Sequence, residues 1–307
     1  MTEIKKPTVG TDLDEGRLKT KPPLVLRVVN QAKGAEDLKR ETYKIKVLLV
    51  SESGGGKTQL FSTLPGKVLV IDYDGRAQTL AGLPHVEVLD CHEAEAGSPK
   101  AWQKAVKIRQ ELWSMVRHGV LPYDSIVEDG LTMMLRYAMN WSLMVDPSGK
   151  TGLGGAPAQH HYMPQMHAVS NHIVSMKGLP VHYGLSAHLE LIEDTERGGL
   201  KFLPKATGKM RTEIPSWFNE TYHCFRETDA AKKVKYFLRT AGAGKWDFFK
   251  SSMNVLGKFW DDPIPVVFGK EWPGDGSSVG FASLLDRRFG PAKKGGEGKG
   301  GESEKKS

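Results

Sequence analysis

The stretch KVLLVSESGGGKTQLF, residues 46–61, constrains the fold more than any other part of the chain. A stiff apolar run stops at three consecutive glycines, and a cation and a hydroxyl follow at once. The run reads as a strand buried on both faces, which is how strands of a parallel sheet are built. Glycines 54, 55 and 56 free the backbone to curl until successive N–H groups point inward. A helix starting there adds the positive end of its dipole to the same concavity. Such a cradle fits a chain of phosphates, as in ATP. Ser53, Gly54, Gly55, Gly56 and Gln59 would surround the phosphates, Lys57 would reach the β and γ groups, and the Thr58 hydroxyl would bind Mg²⁺. The pattern G-x-x-x-x-G-K-[ST] is kept, except that Ser51, itself small, stands at the first glycine.

A nucleotide and its metal also require carboxylates at the ends of neighbouring strands. YDSIVEDGL (123–131) brings Glu128 and Asp129 to such an end. Glu128 interrupts the apolar run, so either acid could face the metal; Asp129, which closes the run, is the better placed. KVLVIDYDG (67–75) ends in Asp72 and Asp74. If the strand persists to 74, both project from one face. Asp74, nearer the C-terminal edge, is then the candidate to orient or deprotonate an attacking water. A plain turn is the rival reading of DYDG. PVHYGLSAHLELIED (180–194) ends in His188, placed either to sense a γ phosphate or simply to hydrogen-bond a strand end.

The chain has 307 residues and a formal net charge of +7, which suits a polyanionic partner. No apolar run approaches the length that crosses a bilayer. The opening MTEIKKPTVGTDLDEG lacks the apolar core of a secretory signal. Two cysteines, Cys91 and Cys224, make no disulfide framework and point to a reducing cytoplasm. Neither Cys91-His92 nor His223-Cys224 has the paired spacing of a zinc site. Residues 1–42 read as an N-terminal arm with an outlying strand at 22–30, 43–260 as the nucleotide-binding core, and 261–290 as a C-terminal extension. Residues 291–307, built of Gly, Lys, Glu, Ser, Pro and Ala, read as a disordered tail. Strands are expected at 44–50, 67–72, 86–89, 124–128, 180–186, 220–225 and 233–239. Helices are expected at 57–63, 99–117, 131–145 and 163–177. This alternation implies an α/β fold, a mostly parallel sheet flanked by helices. The short connections of the last three strands imply antiparallel pairs at the C-terminal edge.

The order of elements resembles the RecA-like P-loop NTPases, and most closely the phage-encoded branch of nucleotide-binding, single-strand annealing proteins. The resemblance is carried by SESGGGKT (51–58), VLVIDYDG (68–75), YDSIVEDGLT (123–132) and GLSAHLE (184–190), and covers about residues 43–255. It implies a RecA-like core that takes ATP and Mg²⁺. Lys57 and Thr58 would hold phosphate and metal, and Asp129 the metal's water shell. Asp74 would take the catalytic acid position, where those recombinases carry glutamate. His188 would link nucleotide state to DNA.

The resemblance also places two DNA-holding loops, at 146–164 and 196–212. The second holds Arg197, Lys201, Lys205, Lys209 and Arg211 with Phe202 interleaved; the first holds Lys150, and Tyr162 beside His160 and His161. Cations for phosphates and rings for stacking suit a single strand on chemical grounds alone. The implied activity is a DNA-stimulated ATPase acting on single-stranded DNA in phage recombination, annealing or replication. It would work in the host cytoplasm, away from membranes, as a ring or filament with ATP between protomers and with a single-strand-binding protein as helper. Lys245 or Lys250 would reach the neighbour's phosphates. Asp74 and Glu128 keep a second expectation open: a nucleotide-gated binding module with little or no turnover that recruits DNA-processing partners.

Overall fold

The computed structural model describes residues 39–147, 155–194, 198–267 and 279–291. The chain divides into two units, Met1–Thr42 and Tyr43–Ser307. Of the first, the described residues 39–42 form a turn closed by a hydrogen bond from the Thr42 amide to the Lys39 carbonyl.

Among the described residues of the second unit, nine strands make one sheet. At its centre β1 (Lys46–Ser51) runs parallel to β5 (His182–Glu193) on one side and to β7 (Glu220–Thr228) on the other. Beyond β5 follow β4 (Ser125–Asp129), β2 (Val68–Asp72) and β3 (Val86–Asp90), all parallel. Beyond β7 the edge turns antiparallel through β8 (Val234–Arg239) and β9 (Ile264–Val266). β6 (Leu200–Pro204) pairs antiparallel with the second half of β5, off the main path. β7 itself joins β1 in parallel, so the antiparallel edge starts one strand later than the short connections imply. β6 and β9 are absent from the sequence reading.

Among the described residues six α-helices cover the sheet: α1 (Lys57–Phe61), α2 (Lys100–His118), α3 (Leu131–Val145), α4 (Gln159–Lys177), α5 (Met210–Trp217) and α6 (Phe281–Phe289). α4 begins at Gln159, ahead of the expected 163, and carries Pro164 inside it. Successive side chains of β1 divide between two cores. Leu48 and Val50 face the cluster built with α2, α3 and α4, and Val47 and Leu49 face the cluster built with α1 and α6. All four are fully buried, which is why β1 shows no apolar–polar alternation.

α6 seals the second core. The Phe281 amide donates to Thr63 Oγ1 at 2.7 Å, and the Phe281 ring stacks against Phe61 and Tyr222. Phe281, Leu284 and Leu285 are each at most 2% exposed. Burying a side chain of that size contributes roughly 1.5–3 kcal/mol. α6 therefore braces the helix that follows the glycines. No described helix is long and apolar enough to cross a membrane.

Candidate functional site

A cavity of about 340 Å³ is lined by residues at the C-terminal ends of β1, β2, β4 and β5. Ser53, Gly54, Gly55, Gly56, Lys57, Thr58, Gln59, Asp74, Asp129 and His188 all line it. These ten residues, expected from sequence at phosphate, metal or catalysis, are thus brought to one place.

The local geometry explains the glycines. Gly56 caps α1 at φ 88°, in the left-handed region that disfavours side chains. Gly55 is needed for its lack of bulk. A Cβ there would lie 2.5 Å from Ser51 Oγ and 2.9 Å from the Cys224 carbonyl oxygen. Ser51 therefore uses the space that a residue larger than glycine at 55 would take. Ser51 Oγ donates to the Glu52 carbonyl at 2.7 Å and accepts from Lys57 Nζ at 2.9 Å. From below, the Cys224 thiol donates to the Gly55 carbonyl at 2.7 Å. Burial pushes that thiol's pKa up to about 12, so it remains a donor rather than a nucleophile.

Lys57 folds back on its own loop, with Nζ also 3.3 Å from the Ser51 carbonyl and 3.2 Å from that of Glu52. Burial lowers its pKa, against the pull of Asp129, Cys224 and Asp74. An entering phosphate would replace weak carbonyl acceptors with a full anion. Thr58 Oγ1 donates to Asp129 Oδ2 at 2.6 Å. Ser186 Oγ donates to the other Asp129 oxygen and accepts from the Gly130 amide at 2.7 Å. A hydroxyl and a carboxylate side by side on an open cavity are oxygen donors of the kind Mg²⁺ takes while keeping most of its waters. The residues present fit both ligands.

Glu128 does not reach the cavity. Its side chain is fully buried and accepts from Tyr73 (2.7 Å), Tyr183 (2.6 Å) and His172 Nε2 (2.7 Å). Burial alone would raise its pKa; the imidazole of His172 and the two hydroxyls outweigh that and hold it below the ordinary value. Asp72 is likewise turned to structure. β2 ends at Asp72, and its carboxylate accepts from the amides of Asp74 (3.0 Å), Gly75 (2.9 Å) and Ala77 (2.8 Å). The strand does not persist to 74. DYDG is a turn, and the turn carries Asp74 into the cavity. Burial and then the charge of Asp129 raise the Asp74 pKa, opposed by Arg76. His188 lies opposite Ser51 on β5. Burial, with the charges of Lys57, Lys205 and Arg76, lowers its pKa and leaves a neutral ring.

Four lining residues escape the sequence reading: Arg76, Thr79, Arg226 and Tyr236. The Arg226 guanidinium carbon lies 3.5 Å from where a Cβ of Gly54 would be, and the Tyr236 ring lies 3.1 Å from that of Gly56. Arg226 follows Cys224 by two on β7 and so shares its face. That spacing would reveal it once β7 is placed beside β1, a pairing no local signal announces.

The DNA-assigned residues divide. Lys150 and Arg197 lie outside the described residues. The 196–212 segment is not a plain loop, because it contains β6 and opens α5. Lys201 Nζ is 3.5 Å from Asp194, and Lys209 Nζ is 3.1 Å from Glu213. Phe202 stacks on Trp246 with centroids 3.9 Å apart, and Lys245 Nζ stands 5.2 Å from the Phe202 centroid. Lys250 pairs through its backbone with Thr221, near the start of β7 and away from the phosphate loop. His161 is held by the Ala158 amide and the Asp146 carbonyl, and His160 lies 3.6 Å from the Asp146 carboxylate. Tyr162, Lys205 and Arg211, drawn from both segments, line a second cavity.

Residues 43–247 match the family described as AAA domain, a span that takes in the whole phosphate loop, Asp74, Asp129 and His188. No curated protein matches the chain. The chain belongs to the AAA domain family of P-loop ATPases.

Proposed function

We propose that the protein binds ATP with Mg²⁺ in the first cavity, hydrolyses it, and acts on single-stranded DNA in phage recombination, annealing or replication. The carrying observation is the convergence of the glycine loop, the Thr58–Asp129 pair, Asp74 and His188 on one cavity. The loop amides and Lys57 hold the β and γ phosphates, with Arg226 and Arg76 adding positive charge at the rim. Mg²⁺ held by Thr58 and Asp129 would neutralise charge between those phosphates. Asp74 takes the proton of the attacking water, a role its raised pKa suits. His188 hydrogen-bonds the γ phosphate as a neutral ring. Its carbonyl accepts from the Lys205 amide at 2.7 Å, which ties the nucleotide to a DNA-assigned residue.

The DNA half of this reading rests on the net charge of +7, the two cation-bearing segments, and the resemblance stated from sequence. A ring or filament of copies completes the proposal, with ATP between protomers. Arg76 and Arg226 are both exposed at the cavity mouth that a neighbour would close. A single-strand-binding protein is the proposed helper. Asp74, one methylene shorter than glutamate, favours the second reading, a nucleotide-gated binding module with little turnover.

ATP hydrolysis measured with and without single-stranded DNA decides between them. Turnover that rises with DNA is expected. Tight ATP binding without turnover selects the second reading, and absence of nucleotide binding overturns both.

A further inference from the structure

The second cavity, about 380 Å³, shares β5 with the first. His188 lines the first and Glu190 the second, two residues apart and so on one face of the strand. α3 follows Asp129 and Gly130 directly and brings Thr132 and Arg136 to the second cavity. α4 supplies Tyr162 and Gln165, and the β6–α5 connection supplies Lys205.

Three features of this cavity point to a ligand. The first is an orphaned acceptor. Gln165 is 3% exposed, and its Nε2 donates to the Leu135 carbonyl at 2.7 Å, while its Oε1 has no partner. Thr132 Oγ1 is also buried without a partner. Native interiors seldom leave such atoms unmet, and a ligand's N–H donor would satisfy the amide oxygen. The second is Tyr162, a flat ring 37% exposed. The third is charge: Arg136 and Lys205 make no ion pair among the described residues, whereas Arg211 is shared with Glu190 at 3.7 Å. Apolar walls, a ring, an unmet amide oxygen and two unpaired cations are complementary to a heterocycle that bears an N–H donor and is joined to phosphate.

We propose that the second cavity receives one nucleotide of the bound single strand. Its base leaves the stack and rests against Tyr162, an N–H of the base donates to Gln165 Oε1, and the flanking phosphates lie on Arg136 and Lys205. This rests on the single-strand reading above and extends it from backbone to base. It also gives nucleotide hydrolysis a short path to DNA, because the Lys205 amide is bound to the His188 carbonyl.

The probe is a labelled single strand of about 16 nucleotides, compared with a strand of the same length made entirely of abasic sites. The abasic strand keeps the phosphates and removes the bases. Wild-type protein is expected to bind the intact strand more tightly. Tyr162→Leu and Gln165→Met should each lower intact-strand affinity roughly tenfold, toward the abasic value, with the salt slope unchanged. Arg136→Ala should instead weaken both strands alike and make the slope shallower. A 5-iodouracil strand should photocrosslink to the α4 peptide that carries Tyr162. Gln165→Met conserves volume; should it fail to fold, the surface variant Tyr162→Leu decides alone. Equal wild-type affinity for intact and abasic strands overturns the base pocket and leaves the single-strand reading standing. So does an equal loss on both strands in Tyr162→Leu. No binding of either strand at low salt overturns both.

Discussion

Glu128 and Asp129 are neighbours at the end of β4, and the pleat of the strand sends them to opposite faces. Asp129 sits at the floor of the nucleotide cavity, with hydroxyls of Thr58 and Ser186 on its oxygens and room above them for a ligand. Glu128 is closed in by Tyr73, Tyr183 and His172, and every contact it makes is internal. Two adjacent acids therefore do unlike work. One carboxylate keeps part of its acceptor capacity open to the cavity. The other is spent completely, joining β2, β5 and α4 beneath the site. A buried charge is tolerated where donors surround it, and removing it strands those donors.

The comparison breaks most visibly at Glu128. Glu128→Ala should cost about 3–5 kcal/mol of stability, because it leaves His172 Nε2 and two tyrosine hydroxyls buried without an acceptor. Urea unfolding measures this, and nucleotide affinity should be unchanged while the protein stays folded. The pH dependence has a definite sign. The Glu128 pKa is depressed in the folded state, so its contribution is complete above the ordinary glutamate value of 4.5 and is lost as pH falls through the folded value. A Glu128→Ala protein as stable as wild type would show that the three contacts contribute nothing.

On the cavity side the largest loss belongs to Lys57→Ala, about 10²–10³-fold in turnover, the scale of removing one group that stabilises developing charge. Stability should move by less than about 0.5 kcal/mol, since among the described residues the Lys57 ammonium hydrogen-bonds only to Ser51 and Glu52, and burial already works against its charge. Asp74→Asn should follow, with turnover down roughly 10²-fold and ATP affinity kept. Because the Asp74 pKa is raised, wild-type turnover should fall as pH drops through a value above the ordinary aspartate range. That limb should vanish in Asp74→Asn, and its persistence would remove Asp74 from the proton transfer. Asp129→Asn should weaken Mg²⁺-dependent binding roughly 10–100-fold, judged from what lost metal contacts cost elsewhere, and leave urea unfolding nearly unmoved. An Asp129 variant with the stability loss expected of Glu128 would erase the contrast between the two acids.

How much of this the chain discloses depends on distance along it. The phosphate loop is legible because its parts lie within eight residues, and glycine, lysine and threonine each have a separate physical reason to be there. Asp129 is legible as the residue closing an apolar run. Glu128 looked like a flaw in that run, because its partner His172 arrives from a helix 44 residues away. Asp74 is legible as a candidate, but the Asp72 carboxylate that bends the turn toward the cavity is a contact and not a pattern. Cys224 meets Gly55 across 169 residues, and Arg226 comes with it, so neither could be read before β1 and β7 were paired. β6 hides for another reason. Gly198 and Gly199 just before it and Lys205 just after it give its surroundings a loop's composition, while its strand character comes from pairing with the protruding half of β5.

The smallest expected effect separates Lys205 from the two lysines near it. Lys201 and Lys209 already have carboxylates, Asp194 and Glu213, at 3.5 and 3.1 Å. Lys205 has no carboxylate partner among the described residues and lines the second cavity. A lysine paired in this way has less condensed counterion to displace when it meets a phosphate, since part of its charge is neutralised within the protein. An unpaired lysine contributes its full share, roughly 0.7 of a unit in the slope of log affinity against log salt for a single strand. Lys205→Ala should therefore make the slope shallower by about 0.7 and weaken all sequences alike, whereas Lys201→Ala and Lys209→Ala should each change it by clearly less. Truncation after Pro291 is the control for diffuse attraction by the lysine-rich tail. Equal slopes for the three lysine variants would mean that the exposed pairs do not hold in solution, as many surface pairs do not. An unaltered slope in Lys205→Ala would mean that the phosphates do not pass the second cavity at all. The base pocket would then have lost its route in, even with the nucleotide site intact.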